Sequence, residues 1–206
     1  MFMGKNKIII GIDQSYQDTG IAIGLNGEIK TAKDIELHSL KNNSLRRERL
    51  RDQLKMMYGF AYDKASKYDA SVTVLIERIR LQSQGFLNID YIKSIGALNA
   101  LICDVAMYYN FPVYSVDTRA WKSTVIGTSK TQNNPYGIDP HKWPTILWCI
   151  NHGYEHYIKY PITSNRKQKG VITKNNERYS YNDNTADSIG ICLYGFTPNP
   201  KIKEEH

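Results

Sequence analysis

The chain has 206 residues, 41% of them hydrophobic, a formal net charge of +7 and a pI of about 9.2. This length suits one domain with its own core, and a basic surface attracts phosphate groups, which favours nucleic acid as a partner. No segment approaches the ~20 apolar residues of a membrane helix, and no signal peptide is recognisable. The three cysteines lie in separate apolar runs without a CxxC pair, so we expect reduced thiols and a cytoplasmic location.

The first half of the chain predicts three strands, a helix and a fourth strand. An apolar run that ends at Asp13 predicts a buried strand, and Asn26-Gly27 is a strong hairpin signal between the next two strands. Ser44 is the expected cap of a basic amphipathic helix, and β-branched residues before Glu77 predict another buried strand. Strands are predicted over 6–13, 21–23, 29–35 and 72–76, and the helix over 45–67.

The second half predicts mainly helices. Apolar side chains from Tyr91 to Tyr109 recur at gaps of 4, 3, 4, 3 and 4, and this stripe either contributes to a dimer contact or packs on the sheet. Residues 153–182 are basic and tyrosine-rich without apolar periodicity, which predicts an inserted loop or hairpin, and the tail is expected to fray. Helices are predicted over 90–109, from Thr118, over 142–151 and over 184–194, and a strand over 112–116.

This order of elements predicts one α/β domain over residues 1–206. Two helical crossovers after a three-stranded meander imply a mixed five-stranded sheet with helices on both faces. The basic insertion at about 153–182 interrupts the domain before its last helix.

Four carboxylates lie beside apolar runs, where an ordinary solvent-exposed acid is not expected. Asp13 and Glu77 end buried strands, where an acid costs free energy unless it is paired or binds a metal. Asp183 and Asp187 share one face of the last helix, and the residues after Asp187 are almost all apolar. Hard divalent cations prefer oxygen ligands, and a carboxylate cluster can hold two Mg²⁺ ions for in-line phosphodiester cleavage. The pattern predicts a two-metal nuclease site.

Each acid also has a simpler interpretation. Asp13 can merely initiate the turn that follows it. Glu77 can pair with Arg78 or Arg80 at the surface. Asp183 can serve only as a helix N-cap. The joint pattern is more specific than any one member of it.

Five motifs resemble, as a set, those of a known family. They are Ile10–Asp13 with Thr19–Ala22, Leu75–Glu77, Ser94–Ala100, Trp121–Gly127 and Thr185–Ser188. The set is similar to the motifs of RuvC-type Holliday junction resolvases, including those of lactococcal phages, and covers about residues 7–151 and 183–195. The resemblance implies a ribonuclease H-like fold and a homodimer that makes paired nicks across a four-way DNA junction. It also implies Mg²⁺, with Mn²⁺ as a substitute, no nucleotide cofactor, and action in the host cytoplasm if a phage encodes the chain.

The same resemblance implies the metal ligands. Asp13, Glu77 and Asp187 match three of the family's acids. The fourth acid of the family lies three residues before the last, where this chain has Asn184, and Asp183 is one residue away. Either Asp183 or Asn184 is therefore expected to complete the set.

Lysines and DNA contacts are also implied. Lys122 matches a family lysine beside the scissile phosphate, where it neutralises transition-state charge, although an ordinary surface lysine has the same appearance. Lys130 or Lys142 matches a second lysine. Phe86 is the nearest aromatic residue after the second acid and stacks on a base or packs in the core or a dimer contact. The predicted DNA-binding residues are Arg80, Phe86, Lys130, Lys142, Arg166, Lys167 and Lys169; the last three belong to an insertion that either grips DNA or is a solvated loop.

These observations favour a magnesium-dependent endonuclease that nicks branched DNA, either Holliday junctions or replication forks. One alternative is a branched-DNA-binding protein that does not cleave, since Asn184 replaces an acid. An actin-like ATPase or sugar kinase is less compatible, because Gln14–Gln17 stand where such enzymes place glycine and no second domain fits in this length. A third reading keeps the fold and changes the substrate to an RNA–DNA hybrid or a flap.

Overall fold

The computed structural model describes residues 6–15, 17–78, 89–127, 134, 136–162, 170–174 and 177–205. Within these ranges no helix is both long enough and apolar enough to span a bilayer. The strands are β1 (Asn6–Asp13), β2 (Asp18–Leu25), β3 (Glu28–Glu36), β4 (Ala70–Glu77), β5 (Val113–Val116), β6 (Lys159–Pro161), β7 (Ile172–Lys174), β8 (Glu177–Tyr181) and β9 (Ile202–Glu204). The helices are α1 (Asn43–Tyr68), α2 (Ile89–Tyr108), α3 (Thr118–Trp121), a π-helical turn (Lys122–Ile126), α4 (Trp143–Asn151), α5 (Glu155–Ile158) and α6 (Asp183–Tyr194).

The main sheet is mixed, with the strand order β3-β2-β1-β4-β5-β9. The first three strands form the predicted antiparallel meander, and β4 and β5 extend it in parallel to β1. The predicted α/β class is confirmed, but the count of five strands was one too low. The tail does not fray: β9 pairs antiparallel with β5, with Ser115 opposite Lys203. It satisfies backbone groups that the outer edge of β5 would otherwise leave unpaired.

Helices cover both faces of the sheet, because alternate residues of β1 point to opposite sides. Ile8, Ile10 and Ile12 enter a core with α1 and α2. Ile9 enters a second core on the other face, where it joins side chains from α3, α4 and α6, among them Ile189. The run of isoleucines in β1 is therefore buried on both faces, as its position in the centre of the sheet requires.

The apolar stripe of α2 is used inside the subunit. Ile95, Leu98, Ile102 and Val105 are all buried in the first core, against α1 and the sheet. Between Ile95 and Val105 the stripe packs on the sheet, as one of the two alternatives predicts, and these positions leave little surface for a second copy. A contribution of α2 to a dimer contact stays a prediction.

Asparagine side chains cap helices α1 and α6. The Asn42 side chain accepts a hydrogen bond of 3.0 Å from the Leu45 backbone N–H, so the cap of α1 is Asn42 and not Ser44. The Asn182 side chain accepts a bond of 2.8 Å from the Thr185 N–H at the start of α6. Asp183 is therefore the first residue inside α6, which leaves its carboxylate available for other contacts.

The described part of residues 153–182 is more ordered than a loop. It contains α5 and a second, three-stranded antiparallel sheet with the order β6-β8-β7. Ile158, Ile172, Tyr179 and Tyr181 from this segment are buried in the second core. This small sheet leads directly into α6, so it is anchored beside the acids of that helix.

The cysteines agree with the sequence expectation of reduced thiols. Cys103, Cys149 and Cys192 are all unpaired, and the last two are buried. A cytoplasmic location stays a prediction.

Candidate active site

Two acids meet where β1 and β4 end. The strands are parallel neighbours with Ile12 opposite Ile76, so Asp13 and Glu77 follow at the same edge of the sheet. The Gln14 side chain ties the two strand ends together, because its Nε2 donates to the backbone oxygen of Glu77 at 3.0 Å. The positions of the two acids thus follow from the register of the central strands.

Glycines let α6 approach the sheet closely enough to bring its acids to the same edge. A Cβ atom at Gly11 would collide with the backbone of Ser188 and Cys192, and one at Gly20 would collide with the backbone of Asn184. Any larger residue on β1 or β2 at these points would push the helix away from the sheet. Gly11 and Gly20, which belong to the motif of Ile10–Asp13 with Thr19–Ala22, therefore have a packing role: they allow α6 to lie close against the sheet.

Asp13 lies within the electrostatic influence of the three other candidate acids. Burial raises the pKa of Asp13 well above its usual value, and the charges of Asp187, Glu77 and Asp183 and a hydrogen bond with Glu77 raise it further. Like charges that are crowded in a poorly solvated place favour protonation or the binding of a cation. The structure therefore brings together the four acids that the sequence singled out.

The two carboxylate oxygens of Asp187 have different surroundings. Its Oδ2 lies 3.2 Å from Nζ of Lys122, while its Oδ1 is buried without a hydrogen-bond partner among the described residues. Burial raises the pKa of Asp187 to about 6, the Lys122 charge lowers it and the Glu77 charge raises it. The Thr145 hydroxyl lies close enough to lower this pKa, but without the geometry of a hydrogen bond, since its Oγ1 is also buried without a partner among the described residues. Thr145 was missed by the sequence reasoning. Its signal was a hydroxyl within the apolar helix α4, where it is buried.

Asp183 and Asn184, the two candidates for the fourth ligand, make different contacts. The carboxylate of Asp183 pairs with Lys142 at 2.6 Å and acts electrostatically on Asp13. The Asn184 side chain instead donates from Nδ2 to the backbone oxygen of Asp18 at 3.1 Å, which fastens α6 to β2. The geometry therefore favours Asp183 over Asn184 as the fourth member of the cluster.

The basic residues of the site come from separate segments of the chain. Lys122 begins the π-helical turn, and its ammonium group also lies 5.0 Å from the Trp121 ring. Arg78 donates from its Nε to the Ser115 hydroxyl at 3.5 Å. Six predicted DNA-binding residues lie outside the described residues: Arg80, Phe86, Lys130, Arg166, Lys167 and Lys169.

The carboxylate oxygens are ligands of the kind that hard divalent cations prefer, but the acids are not arranged as a complete metal-binding group. In the described ranges, no three or more His, Cys, Asp or Glu side chains form a group that could hold a metal ion as they stand. The donors are carboxylate oxygens, one of them buried and unsatisfied on Asp187, which is the chemistry that Mg²⁺ prefers. Lys122 and Lys142 pair with Asp187 and Asp183, so two of the four acids already have a cationic partner. The donor set fits the cation in its chemistry.

Comparison with known proteins identifies the fold. No family model and no curated protein matches the chain. RuvC from Thermus thermophilus, solved with a Holliday junction substrate, aligns with a TM-score of 0.57 at 11% identity over 96% of this chain and 99% of RuvC. A second structure of Thermus thermophilus RuvC gives a TM-score of 0.55 at 13% identity, with the same coverage. The yeast mitochondrial Holliday junction resolvase aligns with a TM-score of 0.43 at 15% identity, over 90% of this chain and 75% of the resolvase. The chain thus has the ribonuclease H-like fold of RuvC over nearly its full length.

Proposed function

We propose that this protein is a Mg²⁺-dependent endonuclease that nicks branched DNA, Holliday junctions above all. The observation that carries the proposal is the meeting of Asp13, Glu77, Asp183 and Asp187 at one edge of a RuvC-like sheet. The formal charge of +7 supports binding to the phosphate backbone. RuvC from Thermus thermophilus, which has a similar fold, was solved with a Holliday junction substrate, and this agrees with the assignment.

The proposed mechanism assigns a role to each side chain. Asp13 and Glu77 would hold Mg²⁺ on the sheet side, and Asp187 with Asp183 on the helix side. When bound, a pair of such ions activates the attacking water and stabilises the leaving oxygen of the phosphodiester. Lys122 holds its positive charge beside Asp187, where it neutralises negative charge that develops on the phosphate.

A homodimer is part of this proposal, because a two-fold symmetric junction offers two equivalent strands for nicking. The part of the α2 stripe between Ile95 and Val105 is buried and offers no surface for it. Apolar side chains exposed at the end of α2 and on the outer face of α1 are a better candidate surface. Met107 is 67% exposed and Tyr108 78% exposed, and Met56 and Tyr62 are also exposed. Such a group of exposed large side chains is typical of a subunit contact.

A second candidate function is junction binding without cleavage. The observation in its favour is that the acids of the described ranges do not form a closed metal-binding group and that lysines neutralise two of them. In that case the basic surface would bind DNA by its shape and charge, while the acids would have only a structural role.

The decisive experiment compares cleavage and binding on the same substrates. An end-labelled four-way junction, a replication fork and a linear duplex are incubated with the protein in Mg²⁺ and in Mn²⁺. Paired nicks on the junction that disappear in Asp13→Asn, with junction binding preserved, support the nuclease. The matched control is Glu28→Gln, which removes an exposed acid that pairs with Lys30 at the far end of β3. Binding without cleavage by the unmodified protein in both metals would leave the second candidate.

A further inference from the structure

The segment that leads into α1 and forms its first turns is strongly basic. Between residues 41 and 51 the chain has five basic side chains and one acid, Glu48, a net charge of +4 out of the +7 of the whole chain. The basic residues are Lys41, Arg46, Arg47, Arg49 and Arg51. None of them belongs to the acid cluster or to the predicted DNA contacts, so the candidate active site does not account for this charge.

Two of these arginines lie where a helix disfavours cations. Arg46 and Arg47 are the fourth and fifth residues of α1, and the first turn of this helix contains no acid. The N–H groups at the start of a helix carry partial positive charge, so acids stabilise this end and cations destabilise it. A placement that opposes the local preference is typical of a functional site.

The same arginines line a groove between α1 and α2. The groove has a volume of about 160 Å³, with Arg46 and Arg47 on one side and Lys93 and Ser94 on the other, and the described residues of its wall include no acid. Arg46 is held in place because its Nε donates to the backbone oxygen of Leu40 at 3.2 Å. Arg47 and Lys93 are exposed, and no ion pair between described residues involves either of them.

The positive surface extends from this groove along α1. Arg47, Arg51 and Lys55 are spaced by four residues, so they form one row on the helix, and all three are exposed. On the other side of α1, burial lowers the pKa of Lys33 on β3, and the charge of Arg49 lowers it further. Crowded cations repel one another, and a bound anion relieves that repulsion.

The groove lies at the same edge of the main sheet as the candidate active site. β4 ends at Glu77 on this edge, and α2 runs back from it to the start of β5. β3 ends on the same edge, where Glu36 pairs with Asp18, and the chain then enters α1. Because α1 and α2 cover the face of the sheet opposite to α6, a DNA arm that leaves the acids across this edge would pass over the groove.

We propose that Arg47, Arg51 and Lys93 bind the phosphate backbone of a DNA arm that leaves the active site over the α1–α2 face. Arginine and lysine bind phosphate oxygens through charge-assisted hydrogen bonds, and a groove without acids does not oppose them. Phosphate contacts carry no sequence information, so this surface would recognise the direction of the arm and not its bases. The inference rests on the proposed branched-DNA function and adds a contact surface outside the active site.

The groove is compatible with the homodimer proposed above. The exposed Met107 and Tyr108 lie at the end of α2, whereas Lys93 lies near its start. A subunit contact through Met107 and Tyr108 would therefore leave the groove open to DNA.

The test measures binding without cleavage, in the Asp13→Asn protein. Arg47→Gln combined with Lys93→Gln should weaken binding to a four-way junction about tenfold for each lost phosphate contact at ~0.1 M salt, and the slope of log K against log salt should become shallower by about 1 per contact. The matched control is Lys64→Gln combined with Lys67→Gln, which removes the same charge near the other end of α1 and should leave the slope unchanged. Arg47→Lys keeps the charge and should also retain the slope.

A second measurement locates the contact on the DNA. Junctions carry one neutral methylphosphonate in place of a phosphate, at successive positions along one arm. The Asp13→Asn protein should lose affinity at one or two positions away from the branch. The double variant of Arg47 and Lys93 should be insensitive at those positions, because the contact is already absent. Thermal unfolding verifies that both double variants are folded, and Arg47→Gln alone provides the same comparison with a smaller effect.

The outcomes separate this inference from the proposed function. Equal salt slopes in the groove variant and its charge-matched control would overturn the inference alone, and so would methylphosphonate effects that persist unchanged in the groove variant. Failure of the Asp13→Asn protein to bind any junction would overturn the proposed function as well.

Discussion

The ammonium group of Lys122 lies 3.2 Å from Oδ2 of Asp187, while Oδ1 of the same carboxylate is buried without a partner in the described part of the chain. One oxygen is thus neutralised by a lysine, and the other has an unsatisfied lone pair inside the acid cluster. Lys122 arises from a π-helical turn, a local widening of the helix that is frequent at functional sites. The arrangement couples the protonation of Asp187 to the position of Lys122.

Lys122→Met tests this coupling. The Lys122 charge lowers the pKa of Asp187, so its removal should raise that pKa further above about 6. Carboxyl NMR titration of the metal-free protein measures the change directly. In cleavage assays the same variant should lose about 10²-fold in rate, as for other charge-stabilising groups. The exposed Lys41→Met is the control, and an unchanged titration of Asp187 in Lys122→Met would refute the coupling.

Asp13→Asn should make the metal-free protein more stable. The folded-state pKa of Asp13 is raised, so the folded protein holds the proton more tightly than the unfolded chain does. Stability from this group is present at low pH and is lost as pH rises from the unfolded pKa of about 4 through the folded pKa. At pH 8, well above the unfolded pKa, the burial of this acid therefore opposes folding, and its removal should raise the free energy of unfolding and with it the Tm, by roughly 2–4 °C for each kcal/mol gained.

The measurement for Asp13→Asn is thermal unfolding in EDTA at pH 3.5 and at pH 8. The gain should be present at pH 8 and nearly absent at pH 3.5. The exposed Asp63→Asn should show no comparable gain at either pH. A destabilised Asp13→Asn protein at pH 8 would mean that this carboxylate makes a favourable contact that outweighs its burial.

Much of the fold and part of the site followed from the sequence for physical reasons. Buried strands are recognisable as apolar runs. An acid at the end of such a run is costly unless it is paired or binds a metal, so Asp13 and Glu77 could be assigned to one edge of the sheet. The four-residue spacing of Asp183 and Asp187 fixed a common helical face. These signals are local, and one sequence carries them.

The remaining features depend on contacts between distant segments. The strand around Lys203 is short and charged, and only the open edge of β5 makes it a strand. Thr145 is recognisable as part of the site only when α4 packs against α6. The choice between Asp183 and Asn184 depends on how α6 is rotated against β2, which the close approach at Gly20 sets. None of these relations leaves a periodic signal in the sequence.

Asp183→Asn and Asn184→Ala should affect different properties of the protein. Asp183 belongs to the acid cluster, so its substitution should raise the Mg²⁺ concentration for half-maximal cleavage about tenfold, which is the scale of losing a ligating group. Asn184→Ala removes a hydrogen bond between α6 and β2 and should lower stability by about 1 kcal/mol. Metal titrations of the cleavage rate, paired with urea unfolding, separate the two effects. A changed Mg²⁺ requirement in Asn184→Ala alone would assign the fourth position to Asn184.

Gly190→Ala should disturb both stability and the position of Lys122. A Cβ atom at Gly190 would collide with the ring of Trp121, which is fully buried. Overpacking of this kind costs about 1–3 kcal/mol, measured by urea unfolding. Because Trp121 immediately precedes Lys122, its displacement should also weaken the contact with Asp187 and slow cleavage more than the loss of stability alone requires.

Gly96→Ala is the matched control for Gly190→Ala, since both glycines lie within helices. A Cβ atom at Gly96 meets nothing within 4 Å, and the position is exposed on α2. The substitution should therefore stabilise the protein by about 0.5–1 kcal/mol through helix propensity and leave cleavage unchanged. If Gly190→Ala also proved neutral or stabilising, Trp121 would have space to move, and the close fit of α6 on Trp121 could not be what positions Lys122.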